Sequence, residues 1–158
     1  MSRERVLDVV GLICRLVLGG VLVSAGVLKL MDLTGSVQSV VAYELVGYDL
    51  AQVIGTMLPV VEVAVGLLLL LGLFTRPAAI VAILLMVVFI AGIASAWARG
   101  LSIDCGCFGT GGKVAEGQAA YLPEILRDIG LAAAGLFLTL RSYTPFSLDR
   151  LFTQKGGD

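Results

Sequence analysis

The sequence predicts an all-α integral membrane protein, a bundle of four transmembrane helices with a short interfacial helix at its outer surface. Three observations carry that prediction. The 158 residues are 58% hydrophobic and only 15% charged, where soluble domains are roughly a quarter charged. The mean hydropathy is +1.00, and a single small globule has too much surface for its volume to hide so much apolar chain. The apolar residues also gather in unbroken runs long enough to cross a bilayer.

The spans follow in order. The first is "VVGLICRLVLGGVLVSAGVL", residues 9–28. The second is "IGTMLPVVEVAVGLLLLLGLF", residues 54–74, and the third "AAIVAILLMVVFIAGIASAW", residues 78–97. The fourth, residues 122–140, is purely apolar only from Ile129 and spans only if the helix starts near Leu122, with Pro123 in its first turn. Glu124, Arg127 and Asp128 are then expected at one membrane surface. Lipid leaves backbone groups no partner but the chain itself, and these runs are too long for barrel strands. The first run exceeds the core of a cleaved signal peptide and lacks a small-x-small site before Lys29, so it is read as a retained helix. Bulky Ile13 before Cys14 argues against a lipoprotein box. The whole chain, 1–158, is read as one membrane domain.

Two outer loops are expected, 29–53 and 98–121. Residues 34–53 are too polar to span, and Val37, Val40, Val41 and Leu45 recur at helical spacing, as in a short helix lying at the interface. Tyr43 and Tyr48 suit that level. Residues 98–121 are glycine-rich without a hydrophobic period and read as a mobile lid. Lys and Arg set the orientation. The side with both termini carries Arg3, Arg5, Arg76, Arg141, Arg150 and Lys155; the other carries Lys29, Arg99, Lys113 and Arg127. The termini are therefore expected in the cytoplasm of a bacterial inner membrane, with both loops in the oxidising compartment outside. The net charge of −1 gives no basic patch for nucleic acid.

The second loop holds "SIDCGCFGTGG", Ser102 to Gly112, with two of the three cysteines one residue apart; the chain has no histidine. Residues i and i+2 on extended backbone lie roughly 7 Å apart, and a disulfide prefers a Cα separation of about 5.5 Å. Closing Cys105 to Cys107 needs a tight bend, which Gly106 permits through positive φ. Gly109, Gly111 and Gly112 let the surroundings follow. So small a loop adds little stability, and a small exposed ring favours exchange chemistry. Two other readings stand beside the redox one. Zinc wants four ligands, and without histidine a site here needs Asp104, water or a second subunit. The pair also stands as a purely structural feature.

"DCGCFG", Asp104 to Gly109, followed by "ILRDIGL", Ile125 to Leu131, resembles the signature of the MauE family. Asp128 departs from it, where an asparagine is expected. The upstream half is similar to the wider DoxX-type group, through Arg15 to Gly19, "AGVLKLMD" (Ala25 to Asp32), and "PVVEVAVGLLLLLGLFTRPAA" (Pro59 to Ala79). The resemblance implies a role in methylamine utilisation and formation of secreted disulfides alongside a thioredoxin-like partner. The plan is also similar to DsbB and the vitamin K epoxide reductases, which carry more than one cysteine pair. It implies Cys105 and Cys107 as the catalytic thiols, supported by Asp104, Gly106, Phe108 and Gly109, with a quinone as the electron acceptor. Phe108 is expected to dip toward the bilayer, and Lys113 or Arg99 to stabilise a thiolate that Asp104 disfavours. The DoxX side implies a different class: a non-catalytic anchor or assembly subunit of an oxidoreductase complex, of the thiosulfate:quinone kind.

Two ionisable residues lie inside the spans, each costing at least ~3 kcal/mol on insertion scales. From the inner end, Arg15 is about 9 Å deep and Glu62 about 18 Å. They are expected to pair if the first two spans pack side by side. A proton-handling or quinone-contacting role for Glu62 and a water-facing polar site are the alternatives. Pro59 is expected to leave a backbone carbonyl free near Glu62.

Overall fold

A computed structural model describes residues 3–108, 111–141 and 148. Gly109, Arg150 and Lys155 lie outside the described residues. The chain forms α1 (Arg3–Met31), α2 (Leu33–Ala42), α3 (Tyr48–Leu71), α4 (Thr75–Ala98), β1 (Ile103–Cys105), β2 (Gly111–Lys113) and α5 (Tyr121–Leu140). Among the described residues, α1, α3 and α4 are long and apolar enough to cross a membrane. They present Val9, Ile13, Val17, Val60, Leu67, Leu84 and Val88 outward, the surface of a chain whose solvent is lipid. Helix α5 carries Glu124, Arg127 and Asp128 in its first half, which shortens its apolar stretch.

Small residues set the packing. Helix α1 runs against α3, with Gly19 against Gly66 and Gly26 against Pro59 and Val63. A Cβ at any of these glycines would strike the facing helix, so the backbones meet where side chains are least. Leu18, Leu22, Leu69, Met86, Leu131 and Leu138 fill the space between α1, α3, α4 and α5. Helix α3 ends on Gly72 in the left-handed conformation, φ 67°, the usual helix stop. Arg141, at the end of α5, reaches Glu4 at 3.4 Å, so the start of α1 and the end of α5 share one end of the bundle.

The helix expected at the interface is α2, and it differs from expectation in its face. The buried side is Ser36, Ser39 and Ala42, while Val37, Val40 and Val41 are half-buried and Leu45 is exposed. The small side chains win because α2 must lie close to α3. Pro59 has no N–H to give the carbonyl of Gly55, four residues earlier; Ser36 Oγ donates to that oxygen at 2.7 Å. The freed carbonyl is thus what fastens α2. Helix α2 starts on Asp32, whose Oδ1 accepts from the Gly35 N–H at 2.9 Å. Helix α3 begins at Tyr48, well before the span expected from residue 54, so most of the first loop is helical.

Residues 98–121 also depart from the expected mobile lid. They form an antiparallel hairpin, with Ile103 opposite Lys113, Asp104 opposite Gly112 and Cys105 opposite Gly111. Ile103 is buried. Tyr121 fastens the hairpin to α5: its hydroxyl accepts from the Ile103 N–H at 3.2 Å and donates to the Leu101 carbonyl. The Tyr121 ring stacks with Trp97, centroids 6.0 Å apart. A glycine-rich stretch lacks a hydrophobic period because backbone pairing and one tyrosine, rather than a row of apolar side chains, hold it down.

Candidate functional site

The hairpin seats the cysteines on α2. Cys105 and Cys107 are joined in a disulfide with their Cα atoms 5.3 Å apart. Gly106 between them takes φ 67°, a conformation that costs any residue with a Cβ. Its other constraint comes from below. Ser39 lies against both Gly106 and Gly111, and a methyl group at either would overlap the serine side chain. Ser39 donates in turn to the Gly35 carbonyl at 2.7 Å. Tyr43, one turn on, donates to the Cys105 carbonyl at 3.1 Å. Burial, then the carboxylates of Glu124, Asp104 and Asp128, push the Tyr43 phenol well above its usual range, so it keeps its proton and remains a donor at neutral pH. Asp104 Oδ1 accepts from the Gly106 N–H at 3.2 Å; its carboxylate holds the turn.

The cysteines are less exposed than a solvent-facing loop implies. Cys107 is 7% exposed, and Cys105 is partly buried. Each borders a different cavity. Cys105 and Gly106 form part of the wall of an apolar cavity of about 490 Å³. Val40, Leu58, Val88, Phe89 and Gly92 line it, with Lys29, Ser36, Ser39, Tyr43 and Ser95 as its polar groups. That size lies in the ordinary range for small-molecule sites. Cys107 and Phe108 border a second void, of about 10 Å³, together with Glu62, Arg127 and Asp128.

The intramembrane charges pair differently from expectation. Glu62 is bound by Lys29, Nζ to Oε1 2.6 Å, with both side chains buried. The contacts of Gly19 and Gly26 set the register of α1 on α3, and they put Glu62 beside the C-terminal half of α1. Arg15 is buried one turn beyond Gly19 in the other direction and therefore does not meet Glu62. Lys29, expected at the outer surface, turns inward and also lies over the Phe89 ring, 5.1 Å from its centroid. Asp128 is bound by Arg127, Nη2 to Oδ1 2.9 Å. The Arg127 guanidinium covers the Phe108 ring at 5.1 Å, so Phe108 is capped by α5. Neither cation expected to serve a thiolate does so: Lys113 pairs with exposed Glu44 at 3.4 Å, and Arg99 donates to the carbonyls of Tyr43 and Ser95. Arg127 stands beside Cys107 instead. Tyr48 is exposed at the start of α3 and borders neither cavity.

Asp104, Cys105 and Glu124 each offer a ligand atom, all within 4.8 Å of one another. With the Cys105 sulfur in a disulfide, two carboxylates are left, a poor set for a soft metal.

The family described as "Methylamine utilisation protein MauE" matches residues 7–141. The chain belongs to the MauE family. Methylamine utilization protein MauE of Paracoccus denitrificans is 39% identical to it over 104 residues. That stretch is 63% of this chain and 54% of the relative, so the chain spans about half the length of the curated relative it matches. No solved structure matches. The stretch matched by the MauE family contains Cys105 and Cys107 and the cavity-lining residues Lys29, Ser39, Tyr43, Glu62, Arg127 and Asp128.

Sequence reasoning singles out the two cysteines and Glu62, which border these cavities. It passes over Ser39, because a serine in a helix carries no signal of its own, and Arg127, because its neighbourhood is made by the hairpin folding onto α5. Lys29 had a legible signal: a lysine at a span end can reach inward along its stem, toward a glutamate that needs a cation.

Proposed function

We propose that this MauE-family protein is a multi-pass membrane component of methylamine utilisation that exchanges disulfides through Cys105 and Cys107. The observation that carries the reading is the seat of the pair: a disulfide closed over one glycine, pinned by Ser39 and Tyr43, with a cavity on either side. A disulfide enclosing one residue constrains the unfolded chain very little, so a staple is a poor explanation for so much local structure. In this reading α5 is the fourth crossing, the termini are cytoplasmic, and the hairpin faces the extracytoplasmic side. The partner is a thioredoxin-like or other secreted thiol protein. Its thiolate attacks Cys105, the residue less buried overall, and forms a mixed disulfide; the second partner thiol resolves it and leaves Cys105 and Cys107 reduced.

The 490 Å³ cavity supplies a place for the oxidant. Its walls are apolar and its polar groups are donors, a lining that suits a lipid-soluble quinone. Two thiols and one quinone give one disulfide and one hydroquinone, so electrons and protons balance. The test is purified protein in nanodiscs, given a reduced thioredoxin-like dithiol and a soluble quinone. Oxidation of the dithiol is expected to be lost in both Cys105→Ser and Cys107→Ser. Gly92→Leu, which fills the cavity, is expected to remove the acceleration by quinone while sparing exchange. If both cysteine variants oxidise the dithiol as the parent does, the protein is an anchor or assembly subunit rather than an exchanger.

A further inference from the structure

Two buried carboxylates behind the disulfide have no part in the exchange as described above. Glu62 is 0% exposed and Asp128 is 1% exposed. One oxygen of each is spoken for, Glu62 Oε1 by Lys29 and Asp128 Oδ1 by Arg127. Glu62 Oε2 and Asp128 Oδ2 have no hydrogen-bond partner among the described residues. A buried acceptor without a donor is costly, and two of them on the walls of one void mark a place that takes a proton or a water. The void measures about 10 Å³, near the smallest volume that holds one water. Cys107, the more buried cysteine, is among the residues that line it.

We infer that the void is a proton-acceptor site for Cys107, with Asp128 and Glu62 as the bases, reached directly or across one water. The inference rests on the exchange reading above. It concerns the first exchange step run in reverse, in which Cys107 resolves a mixed disulfide held on Cys105; by microscopic reversibility the same carboxylates return a proton to Cys107 when the partner thiolate displaces it. The Cys107 thiol gives its proton to Asp128 or Glu62. The thiolate attacks the Cys105 sulfur, the Cys105–Cys107 bond forms, the bond from Cys105 to the partner sulfur breaks, and the partner leaves as a thiolate that takes a proton from solvent. Cys107 sulfur is oxidised and partner sulfur reduced.

The charges around the void suit this role. Arg127 from α5 and Lys29 from α1 are cations that favour both a thiolate and an ionised carboxylate. Tyr43 from α2, Asp104 from β1 and Glu124 from α5 are the other titratable groups near Asp128, and α4 presents only Met86 and Phe89 to the void. The void and the apolar cavity share Phe89 as a wall, with Cys107 on the void and Cys105 on the cavity.

The test uses the reduced protein in nanodiscs, with Cys14 replaced by Ala, and an aromatic disulfide whose released thiolate absorbs light. Attack by Cys105 releases a first thiolate, and resolution by Cys107 a second. In Asp128→Asn the first phase is expected to be unchanged. The second is expected to slow at least about tenfold near neutral pH, since a positioned base contributes ~10²–10⁴, and to acquire the pH profile of an ordinary thiol, pKa about 8.5. Glu62→Gln is the second variant, expected to slow the same phase. A second phase with unaltered rate and pH profile in both variants overturns the proton site. Loss of the first phase in the parent, or two thiolates released by Cys107→Ser, overturns the exchange reading itself and the inference with it.

Discussion

Cys105 and Cys107 are one residue apart, yet their surroundings are opposites. Cys105 borders a roomy apolar cavity between α2, α3 and α4. Cys107 borders a water-sized void walled by Glu62, Arg127 and Asp128. The tight bend at Gly106, φ 67°, lets the two cysteines of one loop border two different spaces that share only Phe89. A single peptide segment thereby reaches an apolar site and a charged one without any movement of helices. In the proposed exchange, the charges inside this membrane protein serve the cysteine loop as well as the packing around them.

The charged side can be broken first, and there the expected effect is largest. Glu62→Gln leaves Lys29 buried and unpaired, and Lys29→Met leaves the carboxylate so. Each is expected to destabilise by ~3–5 kcal/mol, with the double change milder than either. Denaturant titration in detergent checks it through a double-mutant cycle, and additive losses would separate the two residues. The same cycle between Arg15 and Glu62 is expected to be additive, because those residues do not meet.

The bend comes next. Gly106→Ala demands a positive φ from a residue with a Cβ and pushes that Cβ into Ser39. A loss of about 1–3 kcal/mol is expected, read as faster alkylation of Cys107 in the reduced protein once the hairpin lifts from α2. Ser39→Gly in the same chain is expected to recover part of that loss by making room. Smallest is the outer rim of the hairpin. The Lys113–Glu44 pair is exposed at both ends, and Lys113→Ala is expected to change stability by under ~0.5 kcal/mol and to leave the rate of exchange unchanged.

What the sequence makes legible follows from what each signal depends on. Long apolar runs depend only on the chain's solvent, so α1, α3 and α4 are readable in order. Helix α5 is helical over Tyr121–Leu140, but among the described residues only the first three are long and apolar enough to cross a membrane. The C-x-C pair and the need for positive φ at Gly106 are local and equally plain. The freed carbonyl at Gly55 is predictable from Pro59, but the donor that takes it, Ser36, is not, since that depends on where α2 lies. The partner of Glu62 fails for the same reason. Depth counted along the spans brings Arg15 into consideration, whereas the glycine contacts fix a register in which Lys29 arrives. The hairpin is illegible because glycine strands have no periodic side chains, and its anchors, Tyr121 and Ser39, come from helices on either side.

The most direct test of exchange chemistry takes the disulfide state of the secreted thiol protein proposed as its partner, in cells carrying the parent chain, Cys105→Ser, Cys107→Ser or the double replacement. Thiol alkylation followed by mass measurement reads that state. The account predicts correct disulfides with the parent and unpaired thiols with each of the three variants, while all four chains reach the membrane in equal amount. Full disulfide formation with the double replacement would contradict it.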